Sequence, residues 1–257
     1  MQIDIQKVIK AAHAGGKVLK KYFGETLDRV EKHDASDYQT KADLESEAAI
    51  LESIKKDFPD FNIHSEEDGV TDKKSEYTVV IDPLDGTNNF VLGIAQVSVS
   101  IGIIKNKQII AGVVHNPIID QTYYAELGKG AYLEGKKLSV SKESKIERTT
   151  LSYTQGYQIG NIVERKMTSN LHKVDFKRIL TIWSPALDFS LLASGRIDAV
   201  VNNQTEIYDY AAGKLIAKEA GAKITMFDGS EEVDDRNNQF VTSNGTKIHE
   251  QILDLLK

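Results

Sequence analysis

Apolar side chains recur near the N-terminus at Ile5, Val8, Ile9, Ala12, Val18, Leu19, Tyr22 and Phe23. That spacing predicts an amphipathic helix over residues 3–23, with Gly15-Gly16 as a weak point. Glu31 to Thr40 is polar and reads as a loop. A second stripe, Leu44, Ala48, Leu51, Ile54 and Phe58, predicts a helix from Asp43 to Phe58, stopped by Pro59. A β-rich block follows, with runs at Phe61–His64, Tyr77–Ile81, Val97–Lys105, Gln108–His115 and Thr122–Ala125. Lys105-Asn106-Lys107 reads as a hairpin turn. From Thr150 onward the pattern alternates. Short β-like runs (Leu151–Thr154, Ile197–Val201, Lys223–Thr225, Phe240–Thr242) interleave with helical ones (Ala186–Ala193, Tyr208–Ala220, Lys247–Leu256). The expectation is an α/β protein in two subdomains, an α+β half over 1–147 and an α/β half over 148–257. The join near 144–150 has no Pro- or Gly-rich linker, so one compact unit is expected.

Composition narrows the classes of function. The 257 residues can bury a sizeable core, and 40% hydrophobic with 27% charged residues is ordinary for a globular protein. A net charge of −6 argues against a general nucleic-acid or membrane binder. The absence of cysteine excludes disulfides, thiolate metal sites and cysteine nucleophiles. The first residues lack the basic and apolar regions of a signal peptide, so a cytoplasmic location is expected. The six histidines are scattered, without the His-x-x-x-His spacing of a zinc helix. Lys166, Lys173, Lys177 and Arg178 read either as a rim attracting anions or as a solvated face.

The stretch Ile81-Asp82-Pro83-Leu84-Asp85-Gly86-Thr87 changes the picture. It puts two like charges at the mouth of an apolar run, where each is costly to desolvate. A cation between them resolves the conflict, and oxygen-only ligands favour a hard ion such as Mg²⁺. Pro83 fixes φ and helps aim both side chains, and Gly86-Thr87 would open a short helix whose free N–H groups suit an anion. A plain turn would also use Asp-Pro and Asp-Gly, but it leaves the further acids unexplained. Those acids are Glu66-Glu67-Asp68 at the tip of the preceding run, Asp209 at the start of a later helix, and Asp43. A solvated loop would account for the first group, and N-cap roles for Asp209 and Asp43.

In this order the pieces resemble the inositol monophosphatase family of Mg²⁺-dependent, lithium-sensitive phosphatases. Ser65-Glu66-Glu67, the run from Asp82 to Phe90, and Tyr208-Asp209-Tyr210-Ala211-Ala212-Gly213 match its GEE, DPxDGTxNF and WDxAAG motifs. Asp37 to Asp43, Ala186-Leu187-Asp188 and Ser194-Gly195-Arg196-Ile197-Asp198 extend the likeness over nearly the whole chain. The resemblance implies a layered αβαβα sandwich with the site between two halves, and a homodimer. It implies two or three Mg²⁺ ions on Glu66, Asp82, Asp85, Asp209 and the Leu84 carbonyl. It further implies that Asp43, Thr87 and Glu66 act in catalysis, and that the Gly86 and Thr87 amides hold the phosphate of a small substrate. Substrate contacts would also involve Asn202, Trp183 and Ser184, where the chain departs from the pattern. Asn202 stands for a glutamate, Trp183 for a glycine, and Tyr208 for a tryptophan. The implied activity is hydrolysis of inositol-1-phosphate, with fructose 1,6-bisphosphate or the 2′-phosphate of NADP as alternatives. A regulatory protein binding RNA polymerase or RNA is a further one.

Overall fold

The computed structural model describes residues 3–32, 37–157 and 160–256. Helix α1 (Ile5–Tyr22) is capped by Asp4, whose carboxylate accepts from the Gln6 N–H. It runs unbroken through Gly15 and Gly16 because those residues are contact points rather than weak points. A Cβ at Gly15 would lie 2.7 Å from Ile50, and one at Gly16 2.5 Å from the His115 ring. The polar stretch expected as a loop ends in a short strand, β2 (Tyr38–Thr40), which pairs antiparallel with β1 (Arg29–Glu31) at its start; residues 33–36 of that stretch lie outside the described residues. No apolar period announces them, and they are held by pairing and by polar ties to the site. Helix α2 (Lys41–Asp57) starts two residues earlier than its apolar stripe implied.

The large sheet collects β3 (Asn62–Ser65), β4 (Gly69–Thr71), β5 (Tyr77–Asp85), β6 (Ser98–Lys105), β7 (Gln108–Asn116), β8 (Gln121–Glu126), β9 (Ala131–Leu133) and β10 (Lys136–Lys137). Their order is β10-β9-β8-β7-β6-β5-β3-β4, and only β3–β5 is parallel. Between β5 and β6 lies α3 (Thr87–Val91).

The second half holds β11 (Thr150–Gln155), α4 (Asn161–Leu171), β12 (Arg178–Leu180), α5 (Pro185–Ala193), β13 (Ala199–Asn203), α6 (Ile207–Glu219), β14 (Lys223–Met226), β15 (Gln239–Ser243) and α7 (Ile248–Leu256). Its five strands run β12-β11-β13-β15-β14.

The buried side chains show how these layers stack. Ile5, Val8 and Ile50 of α1 and α2 pack with Val79, Ile81 and Ile101 on one face of the large sheet. Val80, Ile104 and Val114 on its other face meet Leu187, Ala211 and Leu215 of α5 and α6. Those helices also cover the small sheet through Phe189, Tyr210, Val200 and Phe240. Met167, Leu171 and Ile252 of α4 and α7 close the far side over Leu151 and Val201. The result is the expected αβαβα sandwich. Its inner helix layer carries the N-termini of α5 and α6 to the end of β5. Among the described residues, no helix is long and apolar enough to cross a membrane.

Candidate active site

Strand β5 does not stop at Ile81. It continues through both acids by a β-bulge, with Asp82 opposite Ser100 and Asp85 opposite Ser98. Three steps on β5 therefore match two on β6, and the extra residue re-aims the side chains. Ser46 of α2 secures the bulge by donating to the Pro83 carbonyl at 2.8 Å. Asp82 accepts from the Leu84 N–H at 3.0 Å. Asp85 accepts from Ser98 at 2.9 Å and from Ser184 at 2.6 Å, with further N–H donors from Ala186 and Leu187. Gly86 then turns the chain at φ 93°, a conformation that disfavours any side chain, and a Cβ there would sit 3.0 Å from the Gln96 carbonyl.

Asp43 is not the N-cap of α2. Thr40 caps the helix, and Asp43 is the third residue of a capping box, accepting from the Thr40 N–H at 2.8 Å and its hydroxyl at 2.6 Å. Its other oxygen lies 3.0 Å from the Thr87 hydroxyl, which is also 3.1 Å from the Leu84 carbonyl. Asp209 occupies the same position in α6, accepting from the Glu206 N–H at 2.8 Å. Glu66 and Glu67 sit on a turn held from beneath by Glu47, which accepts the Ser65 hydroxyl and the N–H groups of Glu67 and Asp68. Lys32 reaches both acids, at 2.8 Å from Glu66 and 2.6 Å from Glu67, and Gln39 also donates to Glu67. Glu67 thus fastens the β1–β2 segment, a role the sequence did not suggest.

Glu66, Asp82, Leu84, Asp85, Gly86, Thr87, Trp183 and Asp209 line one cavity of about 850 Å³, contributed by both halves. Asp43 stands behind Thr87, fully buried. Two expected substrate contacts lie elsewhere. Asn202 is fully buried, donating to the Asn238 carbonyl at 2.8 Å and accepting from Thr205 at 2.9 Å, so Gln204, Thr205 and Asn238 form that wall instead. Ser184 is likewise buried and spends its hydroxyl on Asp85. Trp183 is 54% exposed at the cavity edge, not a core residue. Lys166, Lys173, Lys177 and Arg178 are exposed and lie off the cavity, as a solvated face.

The electrostatics describe a site short of positive charge. Burial pushes Asp43 up to about 6, against the pull of its Thr40 and Thr87 hydrogen bonds. Burial also raises Glu66 to about 7 despite Lys32. Asp85 rises to about 7 for the same reason, opposed by its Ser184 and Ser98 donors. Asp82 stands well above the ordinary range through burial and then repulsion from Glu66, Asp85 and Asp209. Asp209 does so through burial, Glu66 and Asp85. Among the described residues, no three acidic or imidazole side chains are already arranged to hold a metal ion. Lys32 draws Glu66 toward β1 and β2, and the remaining acids repel one another. The donor chemistry nonetheless fits a hard divalent cation: oxygen-only, desolvated, and holding protons that a cation would displace.

Comparison with known proteins bears on the fold and the family. A fructose-1,6-bisphosphatase/inositol-1-monophosphatase of Thermotoga maritima is 35% identical over 95% of this chain and 92% of its own. The Nus factor SuhB of Pasteurella multocida is 36% identical over 86% of this chain and 84% of its own. The crystal structure of the extragenic suppressor protein suhB from Bartonella henselae superposes with a TM-score of 0.90, at 30% identity and 98% coverage of both chains. The family model described as the inositol monophosphatase family matches residues 3–257, and it spans β5 with its bulge, the turn at Glu66 and the start of α6. On fold and on sequence together, this chain belongs to the inositol monophosphatase family.

Proposed function

We propose that the chain is a Mg²⁺-dependent hydrolase of small phosphate monoesters, with inositol-1-phosphate as the expected substrate. Family membership supports the phosphatase activity itself. The observation that carries the reading is the convergence of acids from both halves on one cavity, with Thr87 joined to buried Asp43 at its edge. Bound divalent cations, held by Glu66, Asp82, Asp85, Asp209 and the Leu84 carbonyl, would offset the phosphate charge and acidify a bound water.

The chain's own residues do the rest. Thr87 Oγ1 takes a proton from the attacking water and passes its own to Asp43 Oδ1, whose raised affinity for protons near neutral pH suits an acceptor. Thr40 keeps Asp43 aimed. The amides of Gly86 and Thr87 receive the phosphate, and Trp183 borders the alcohol. Asn202 and Ser184 act from behind, by fixing Asn238 with Thr205 and by fixing Asp85. A cytoplasmic homodimer is the expected form.

Relatives named fructose-1,6-bisphosphatase/inositol-1-monophosphatase keep fructose 1,6-bisphosphate as a second substrate; the 2′-phosphate of NADP stays a third from the sequence resemblance alone. Relatives named Nus factor SuhB favour a second reading, a regulatory protein using this fold as a surface. A panel of inositol-1-phosphate, fructose 1,6-bisphosphate, NADP and a 3′,5′-bisphosphate nucleotide, scored by Mg²⁺-dependent phosphate release, separates these. Turnover of inositol-1-phosphate supports the proposal. Silence on all four, with polymerase or RNA co-purifying, overturns it.

A further inference from the structure

Beyond Asp209, helix α6 carries Lys214, the one lysine that is buried among the described residues. Its side chain is 1% exposed. The ammonium donates to Glu232 Oε1 at 2.6 Å and to the carbonyls of Asp235 and Asn237 at 2.8 and 3.3 Å. It also lies 4.0 Å from the centre of the Phe240 ring. An ammonium has three donors, so these partners satisfy it fully. A buried charge is nonetheless costly, and an apolar side chain would fill the same place on α6 without that penalty. The cation is therefore explained by what it grips.

It grips residues 232–238, which join β14 to β15 with no helix or strand of their own. Asp234 accepts from the Arg236 N–H at 3.0 Å, which makes a tight polar turn. The segment has no apolar anchor, since its one hydrophobic residue, Val233, is 91% exposed. Polar ties hold it instead. Tyr210, one turn before Lys214 on the same face of α6, donates its hydroxyl to the Arg236 carbonyl at 2.6 Å. Asp235 accepts from the Ile109 N–H of β7 at 2.9 Å.

The far end of the segment reaches the cavity. The Asn238 carbonyl accepts from the Gln204 N–H at 2.6 Å and from the Asn202 amide at 2.8 Å. Gln204, Thr205 and Asn238 line the cavity as its second-half wall. The acids do not depend on this segment in the same way. Asp209 is held by the capping box of α6 itself, and Asp82 and Asp85 by β5 and its neighbours.

We infer that Lys214 is a positioning residue: it closes residues 232–238 onto α6 and thereby sets the wall of Gln204, Thr205 and Asn238, leaving the metal-facing acids as they are. Its kinetic consequence rests on the phosphatase reading; its structural consequence does not.

The test is Lys214→Met in the full chain, assayed with Mg²⁺ and inositol-1-phosphate. The expected result is a KM raised about tenfold, the scale of one well-placed hydrogen bond lost to the substrate, with kcat and the Mg²⁺ midpoint within about threefold of wild type. Simple destabilisation would instead remove active molecules, so a fallen kcat with unchanged KM overturns the inference. Lys214→Met/Glu232→Gln leaves no unpaired buried charge and guards against a variant that fails to fold. KM should stay raised there, because the grip on the two carbonyls is still missing. A KM restored to wild type would place the effect on a stranded Glu232 and overturn the inference.

Hydrogen exchange of the same proteins without substrate supplies the readout that needs no activity. The Gln204 amide is expected to exchange at least about tenfold faster in both variants, with the amides of β5 and β6 unchanged. Exchange at Gln204 equal to wild type overturns the inference. Wild type that releases no phosphate contradicts the phosphatase reading, and exchange at Gln204 then decides the role of Lys214 alone.

Discussion

The Ser184 hydroxyl donates to Asp85 Oδ2 at 2.6 Å, joining the residue before α5 in the second half to the bulge of β5 in the first. Asp85 has four donors, and this one alone crosses between the halves by a side chain. It fixes which way the carboxylate faces. Groups of this kind around a metal ligand are worth roughly 10–100-fold in metal affinity. Ser184→Ala is therefore expected to raise the Mg²⁺ concentration for half-maximal activity by about tenfold, with a smaller change in saturated kcat. A Mg²⁺ titration of the rate checks it, and an unchanged midpoint would mean that Asp85 is not a ligand.

Asp43 and Asp85 should fail differently. Asp43→Asn removes the proton acceptor beside Thr87 and leaves the metal-facing acids in place, so kcat should fall by about 10²–10⁴-fold with Mg²⁺ binding intact. Asp85→Asn should abolish turnover and weaken Mg²⁺ binding together. Calorimetric Mg²⁺ titration beside the kinetics separates the two, and loss of metal binding in Asp43→Asn would make that residue a ligand instead.

Asp82 exposes the cost of the site to the fold. Its proton affinity in the folded protein is raised above the unfolded value, so its contribution is fully present below about pH 4 and is lost as pH rises through the raised folded value. Asn at this position keeps the acceptor for the Leu84 N–H and removes the buried charge. In chelator at pH 8, Asp82→Asn is expected to melt higher than wild type, by about 2–4 °C for each kcal/mol relieved. The difference should shrink at pH 5. With Mg²⁺ restored, wild type should gain and the variant should not. Thermal melts at both pH values settle the sign.

How much of this the sequence disclosed depends on where the information lies. The α+β half followed by an α/β half was readable because α1, α2 and the strands from β5 to β8 each carry a sustained apolar period, whereas the αβαβα layering followed from the family resemblance. Strands β1 and β2 were missed because their residues are polar and held by pairing and by Lys32 and Gln39. Helix α4 was missed because its apolar stripe is sparse, with Ile162 and Val163 pointing to solvent. Among site residues, Asp82 and Asp85 were marked by the cost of pairing two acids at a strand end. The placement of Asn202 was not legible, since an amide at a strand end gives no sign whether it faces a cavity or its own loop. Glu47 and Glu206 gave no signal beyond their charge, and Glu67 was marked only as part of the acidic tip, not as the partner of Lys32 and Gln39.

Two histidines that carry no chemistry set an acid limit on stability. His249 is fully buried between the Thr225 and Ser243 hydroxyls, and His115 is buried beside His13 and Thr122. Burial lowers both to about 4, below the ordinary value near 6.5. The folded state then takes up fewer protons than the unfolded chain between those values, so their contribution holds above about pH 6.5 and is lost as pH falls toward 4. His249→Gln should flatten the decline of melting temperature over that interval. A slope equal to wild type would show that His249 is not the titrating group.

The central claim, that the acid-lined cavity between the halves is a metal-dependent phosphatase site, rests most directly on one assay. Protein stripped by chelator is given inositol-1-phosphate, and phosphate release is followed before and after Mg²⁺ is restored. The expected result is no release without the ion, recovery with it, and no recovery in Asp85→Asn. Release that persists in chelator, or that survives Asp85→Asn with Mg²⁺ present, would contradict the assignment.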